Sequence, residues 1–155
     1  MRIGILAVVG KEINNMQNNT NYYCENCRKF VEVTLHNEVL CGKVKNKEYF
    51  YSGIVARCEN CRKEVYVPRV NDHNLKMLYN EYREHNDIIS LEMIREIPKK
   101  YKLRSRQISR MLGWEDTDFK RYYDGDIPSK ERSDILVKLY NDPAYCQQLV
   151  KQLKL

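Results

Sequence analysis

The sequence predicts an α+β protein made of two small domains, a β module followed by an all-α bundle. Three observations predict this class. The hexapeptide CENCRK occurs twice, at 24–29 and 58–63, and segments of alternating polarity lie between the copies. From about residue 74 onward, apolar residues recur at helical spacing. A chain of 155 residues, 43% of them hydrophobic, is long and apolar enough for two packed cores.

The predicted division has four parts. We expect a disordered segment or an extension at 1–20, a β module at 21–68, a linker with a bridging helix at 69–86, and the helical bundle at 87–155. The opening MRIGILAVVG is too short to span a bilayer, and Lys11 follows it without a small-residue cleavage site. We therefore expect a cytoplasmic protein that has no membrane partner.

The repeated hexapeptide supplies four cysteines in two Cys-x-x-Cys pairs. A tight turn points both sulfurs of a pair to the same side, and two facing turns place four sulfurs at tetrahedral corners, which suits Zn²⁺. Two unrelated pairs, a redox dithiol and a rubredoxin-like iron site are the alternatives, and Cys41 or His36 is a possible spare ligand. The predicted ligands of one structural zinc ion per chain are Cys24, Cys27, Cys58 and Cys61.

Strand-like alternation occurs in three segments of the β module, 30–35, 49–55 and 65–67. A ribbon of two or three strands buries too little apolar surface to fold alone. Bound metal would therefore supply much of the folding free energy of this module.

A polar break at 68–72 is predicted to separate the module from a bridging helix at 74–86. Its apolar residues fall on one face of a helix, at i, i+3, i+4 and i+7. His73 and His85 are expected on the solvated surface.

The bundle is predicted to contain five helices besides the bridging helix. Ser90 is a plausible N-cap for a helix that ends near Ile97, where Pro98 stops or kinks it. Ser129 caps a later helix, and Pro143 at a first helical position opens the last one.

Segment 99–129 predicts two short helices, at 105–112 and 116–123, joined by a glycine turn at 113–114. The inward-facing candidates are Ile108, Met111, Leu112 and Phe119. A compact helix pair with such a turn is typical of a helix-turn-helix. The sequence therefore predicts a lambda-repressor-like bundle.

The charge of this segment favours a nucleic-acid partner. From Lys99 to Arg121 there are eight basic and three acidic residues, a local balance of +5. A basic helix pair of this kind is what enters a DNA major groove. The whole-chain charge of +6 is compatible with a polyanion partner but does not require one.

No pattern in the sequence predicts an enzyme. The chain has three histidines, and none lies near a nucleophile with a plausible third partner. A zinc ion closed by four thiolates offers no open coordination position for water. We expect no catalytic activity.

The order of these motifs resembles the MqsA family of type II antitoxins, a YgiT-type zinc finger followed by an Xre/Cro helix-turn-helix. The likeness runs from about Tyr22 to Tyr145. The C-terminal part also resembles variants associated with the Panacea (SocA-like) domain, some of which carry that domain further along the chain. The resemblance implies that the zinc domain faces a toxin, while the helical domain dimerises and represses the operon that encodes both proteins.

The resemblance also assigns individual residues. The four cysteines match the zinc ligands, and Arg121 in FKRYY matches the recognition-helix arginine of an FSRYE-like segment. Thr117 stands where the family can place a base-reading asparagine, so the operator sequence stays open. Asp118 repels phosphate near the start of the recognition helix, although it can accept from a cytosine amino group.

Arg121 is expected to contact either a guanine edge or a phosphate, with Thr117 and Lys120 on the same exposed side. The start of the first helix is expected to reach phosphates, with a solvated basic face as the alternative. The predicted DNA-contact set is Arg104, Ser105, Arg106, Gln107, Thr117, Asp118, Lys120 and Arg121. A homodimer with two such modules would read a palindromic double-stranded operator.

The resemblance thus implies an antitoxin that binds promoter DNA, autoregulates and contacts a partner toxin through its zinc domain. The alternative function is a stand-alone or phage/mobile-element transcriptional regulator with a structural zinc ribbon and no toxin.

Overall fold

A computed structural model describes residues 21–153 of the chain. The predictions for residues 1–20 lie outside this range. The described part is α+β, as predicted, with two small antiparallel sheets and six helices. The elements are β1 (Tyr22–Cys24), β2 (Lys29–Val31), β3 (Val33–Val44), β4 (Lys47–Cys58), α1 (Pro68–His85), α2 (Leu91–Tyr101), α3 (Ser105–Met111), α4 (Asp118–Asp124), α5 (Lys130–Asn141) and α6 (Pro143–Leu153).

The described residues divide into two compact units, one that ends at Leu78 and one that begins at Tyr79, which we call the N-terminal and C-terminal units. The division falls inside α1. The expected break at 68–72 is wrong, because these residues form the first turn of that helix. Pro68 is suited to a first helical position, where the missing N–H would have no partner in any case.

The main sheet of the N-terminal unit is a hairpin of two 12-residue strands, β3 and β4. Their register runs from Val33 opposite Cys58 to Val44 opposite Lys47. The two-residue turn, Lys45–Asn46, has positive φ at both positions, as a type I′ turn requires. The hairpin extends well beyond the predicted strands, because apolar Val39 and Cys41 are exposed while Glu38 and Gly42 are half-buried, so polarity does not alternate with burial there.

The predicted strand at 65–67 is not formed. Glu64 makes a single bridge to Arg57, and the backbone N–H of Val65 donates to the carbonyl of Ala56 at 2.9 Å. The segment is therefore extended but too short to make a ladder. It instead contributes Val67 to an apolar cluster with Ile54, Ala56 and Val70.

The start of α1 completes the core of the N-terminal unit. The Asn74 side chain accepts from the Ile54 N–H and donates to the Ile54 carbonyl, both at 2.8 Å. This amide satisfies both backbone polar groups of Ile54. His73 is buried, so its expected place on the solvated surface is wrong, whereas His85 is exposed.

The C-terminal unit has one apolar core to which α2–α6 contribute. Its fully buried side chains include Ile94, Ile97, Ile108, Phe119, Leu136 and Leu139. Two buried serines satisfy backbone amides. Ser133 Oγ accepts from Ile89 N at 2.7 Å, and Ser109 Oγ accepts from Phe119 N at 3.0 Å.

The helix ends follow the predicted capping chemistry, with one correction. Ser90 and Ser129 cap α2 and α5, each accepting a backbone N–H three residues on. Pro98 does not end α2, which continues to Tyr101 before a left-handed residue, Lys102. Pro98 has no N–H to donate to the Ile94 carbonyl, so the helix loses this one hydrogen bond and continues for one more turn.

Candidate metal centre and candidate nucleic-acid interface

The four predicted ligand sulfurs lie within 4.8 Å of one another. Cys24 Sγ is 3.6 Å from Cys61 Sγ, and Cys27 Sγ is 3.9 Å from Cys58 Sγ. None of these cysteines forms a disulfide. Zn–S bonds of about 2.3 Å give tetrahedral S···S edges of about 3.8 Å. The spacing of the sulfurs therefore fits one ion of this size.

The repeated sequence produces a repeated conformation. In the first copy Arg28 N donates to Cys24 O at 2.7 Å, and in the second Arg62 N donates to Cys58 O at 2.9 Å. Both arginines have positive φ, 54° and 62°. Backbone amides also point at sulfur, since Cys27 N lies 3.4 Å from Cys24 Sγ. Amides directed at sulfur favour the thiolate, which is the form that binds metal.

Two thiols of the cluster have pKa values that move in opposite directions. A hydrogen bond from the Lys63 backbone lowers the pKa of Cys61 to about 6. Cys27 shares a hydrogen bond with Cys61, which raises the pKa of Cys27 to about 12. The opposite directions follow from the hydrogen bond that the two thiols share, which favours charge on Cys61 and the proton on Cys27. A divalent cation would compensate the charge and allow both to ionise.

Neither predicted spare ligand belongs to the cluster. Cys41 is exposed in the middle of β3, and His36 Nε2 lies 2.9 Å from Thr34 Oγ1. The remaining cysteine, Cys146, is buried in the C-terminal unit, where burial raises its pKa. Four sulfurs complete a tetrahedral shell, so this arrangement suits a structural ion.

The C-terminal unit carries the predicted DNA-contact residues on α3, α4 and their flanks. Exposed side chains belong to Arg104, Arg106, Gln107, Thr117, Lys120 and Arg121, while Ser105 is half-buried. The second helix begins at Asp118, two residues later than predicted, so Thr117 precedes α4. Gln107 Oε1 accepts from the Arg104 backbone N–H at 2.9 Å and so caps α3.

Asp118 does not belong among the exposed contact residues, and this corrects the prediction. Its side chain is 11% exposed and accepts from Arg132 Nη1 at 2.9 Å. It also accepts from the Glu115 backbone N–H at 3.3 Å. The Arg132 guanidinium further donates to the Tyr122 hydroxyl and stacks over Trp114 at 4.7 Å. Asp118 is therefore an internal counter-ion at the start of α4.

The exposed cations of α4 have carboxylate partners. Lys120 pairs with Asp124 one turn further along, and Arg121 Nε donates to Asp126 Oδ2 at 3.0 Å. Arg121 remains 62% exposed and also lies 3.9 Å from Asp118 Oδ1. These pairs hold the side chains near the surface of the helix without burying them.

Sequence reasoning missed two residues of this surface, Arg110 and Asp116. Asp116, between the helices, accepts hydrogen bonds from both Arg106 and Arg110. The sequence does contain a signal for Arg110, because it lies four residues after Arg106 and residues at this spacing share a face of a helix. The partner carboxylate lies outside the helix, where periodicity does not identify it.

Comparison with known protein families and with curated proteins finds no match for this chain. Among residues 21–153, no helix has the length and apolarity needed to cross a membrane. The functional conclusion therefore depends on the two sites themselves.

Proposed function

We propose that this protein is a zinc-stabilised, DNA-binding antitoxin that represses its own promoter. The observation that carries the proposal is the short helix pair α3 and α4, packed on a common core through Ile108 and Phe119. The segment 104–121 carries five exposed cations: Arg104, Arg106, Arg110, Lys120 and Arg121. A helix pair of this length with a basic exposed side is suited to a helix-turn-helix in the major groove.

In this proposal α4 is the recognition helix and Arg121 its base-reading or phosphate-binding residue. The side chain is exposed. Its guanidinium donates to Asp126 through Nε and has further N–H donors on its terminal nitrogens. A bidentate contact to a guanine edge discriminates by about 1–3 kcal/mol. The N-terminal end of α3 contributes phosphate contacts from Arg104 and Arg106.

The cysteine cluster binds one zinc ion per chain with a structural role. It lies over a small apolar cluster that contains Val31 and Val65. Such a small apolar cluster contributes little to the free energy of folding, and binding of the ion would supply the rest of that free energy. Four thiolates complete the shell, so we propose no hydrolytic reaction at this site.

The N-terminal unit offers a surface for a partner protein. Tyr23, Phe30 and Tyr66 are 49%, 68% and 70% exposed. Tyr23 and Phe30 pack edge to face at 5.6 Å, and a groove of about 540 Å³ is lined partly by Glu25 and Glu64. Exposed aromatic groups beside carboxylates are suited to a basic toxin surface.

Homodimerisation is proposed through the last helix. Leu149 and Val150 of α6 are half-buried, and Leu153 is exposed. A second copy covering this stripe would bring two recognition helices together on a palindromic operator. Sedimentation velocity of the purified chain tests this, since a monomer at micromolar concentration contradicts the proposed dimer.

The DNA-binding proposal is tested with duplex DNA from the region preceding its own coding sequence. We expect Arg121→Ala to weaken binding by about 1–3 kcal/mol without unfolding, because the side chain is exposed. Lys130→Ala, which removes the same charge from α5, is the matched control. Equal affinities of the wild type and Arg121→Ala in a gel-shift titration would refute the role of Arg121.

A growth assay distinguishes the proposed antitoxin from the alternative, a transcriptional regulator without a toxin. The protein encoded next to this chain is expressed alone and with it. Arrest by the neighbour that co-expression relieves supports the antitoxin. A harmless neighbour, together with retained DNA binding, favours the stand-alone regulator.

A further inference from the structure

Asp116 holds two arginines with one carboxylate. Its Oδ2 accepts from Arg106 Nε at 2.6 Å and from Arg110 Nη2 at 3.1 Å, while Oδ1 accepts from Arg110 Nε at 2.8 Å. The arginines lie one helical turn apart on α3, where two like charges would otherwise repel. Asp116 lies in the connection between α3 and α4. The carboxylate therefore neutralises half of a local charge of two.

We propose that Asp116 restrains Arg106 and Arg110 and so lowers the affinity of this protein for DNA of arbitrary sequence. This inference rests on the proposed DNA-binding function and assigns to Asp116 a role in its selectivity. Sequence-independent binding comes almost entirely from cations that neutralise phosphates. A carboxylate already bonded to two such cations competes with phosphate for their donors and repels the phosphate itself.

The arginines remain available to a ligand that outcompetes the carboxylate. Arg106 and Arg110 have side chains that are 66% and 54% exposed. Arg106 donates to Asp116 through Nε, so its two terminal nitrogens are further donors that a phosphate can engage. Exposed ion pairs contribute little to stability and exchange readily. Asp116 therefore weakens phosphate contacts without abolishing them.

The other carboxylates of this surface are different. Asp124 and Asp126 pair with one cation each, and Asp118 is buried against Arg132. Asp116 accepts three hydrogen bonds from two cations. The pKa of Asp116 falls to about 2 because Arg110 and Arg106 donate to it, so the carboxylate is fully charged at neutral pH. Removing the Asp116 charge therefore frees two arginines of α3 from their shared counter-ion.

The experiment compares Asp116→Asn with Asp134→Asn in the full-length, zinc-loaded protein. Asp134 pairs with Lys130 on α5, so both variants change the net charge equally. The probe is a 30-base-pair duplex of mixed sequence, titrated by fluorescence anisotropy between 50 and 200 mM salt. We expect Asp116→Asn to bind about tenfold more tightly at low salt, with the salt slope steeper by about one to two. Asp134→Asn should change the affinity less than about twofold.

A further variant tests whether the gain passes through the two arginines. Arg106→Gln and Arg110→Gln are introduced together, once with Asp116 present and once with Asp116→Asn. These two proteins should bind the duplex equally, because the gain from Asp116→Asn requires the arginines. Thermal unfolding, followed by the Trp114 fluorescence, confirms that each variant is folded. If Asp116→Asn does not fold, Asp116→Ser, which also removes the charge, replaces it.

The outcomes separate this inference from the proposed function. If Asp116→Asn binds no more tightly than Asp134→Asn, the restraint is wrong while DNA binding stands. The same holds if the gain persists after both arginines are replaced. If the folded wild-type protein binds neither the mixed duplex nor the DNA preceding its own gene, the proposed function itself is overturned.

Discussion

At the scale of single residues, Asp118 organises the start of α4. Its carboxylate accepts from Arg132 and from the Glu115 backbone N–H. Arg132 also stacks on Trp114, which packs edge to face on Tyr122 at 5.9 Å. Because the carboxylate and guanidinium are both partly withdrawn from water, each depends on the other for compensation. This network sets the position from which α4 presents Lys120 and Arg121.

Replacing Asp118 by Ala is expected to destabilise the C-terminal unit by about 1–3 kcal/mol, because Arg132 loses its counter-ion. Trp114 is the only tryptophan of the chain and reports this unit. Urea unfolding followed by Trp114 fluorescence measures the change. Asp124→Ala, which removes an exposed pair, should cost less than about 0.5 kcal/mol. Equal effects of the two substitutions would contradict the role assigned to Asp118.

Asp116 gives a prediction about pH. Hydrogen bonds from Arg110 and Arg106 lower the pKa of this carboxyl from 3.8 to about 2. A lowered folded-state pKa means that the ion pair contributes to stability above the unfolded value of 3.8 and loses its contribution as pH falls through about 2. An NMR titration of the Asp116 carboxyl carbon should have its midpoint near 2, and Arg110→Gln should raise it. A wild-type midpoint near 4 contradicts the ion pair in solution.

At the scale of elements, the two CENCRK turns are equivalent building blocks. Each places a positive-φ arginine after its second cysteine and directs both sulfurs inward. The short β1–β2 hairpin carries the first turn, and the end of β4 carries the second. The long β3–β4 hairpin therefore brings together sulfurs that are 31 residues apart in the chain.

Cys58→Ser is expected to abolish zinc binding and unfold the N-terminal unit, because the buried cluster is too small to fold without the ion. Metal analysis should find about one zinc per wild-type chain and less than a tenth of that in the variant. Cys41→Ser, which changes an exposed thiol outside the cluster, should retain the metal. Freshly purified wild-type protein that contains neither zinc nor iron would rule out the metal site.

At the scale of the whole molecule, the chain combines two units that have separate apolar cores. Each unit carries one of the sites from which the function is proposed. The helix α1 contributes to both, with Asn74 bonded to β4 and the buried Arg83 donating to the carbonyl oxygens of Gly125 and Asp126. In the N-terminal unit the expected stabilising agent is a metal ion, whereas the C-terminal unit has a continuous helical core.

The sequence alone determined the features that local patterns encode. Cysteine spacing identified all four sulfurs of the cluster, because a short turn is enough to direct a pair to one side. Periodicity and capping residues identified the helices of the C-terminal unit and several of its core residues, including Ile108 and Phe119. These inferences succeed because each pattern that they use lies within one or two turns of the chain.

Only the tertiary structure decided which charged and polar residues are internal. It buried Asp118 against Arg132 and His73 in α1, and it joined Arg106 and Arg110 through Asp116. It also extended the hairpin through residues such as Val39 and Cys41, which are exposed although they are apolar. A charged residue looks the same in the sequence whether its side chain contacts water or a counter-ion. Its surroundings are set by residues that are distant in the chain and are brought together by the fold.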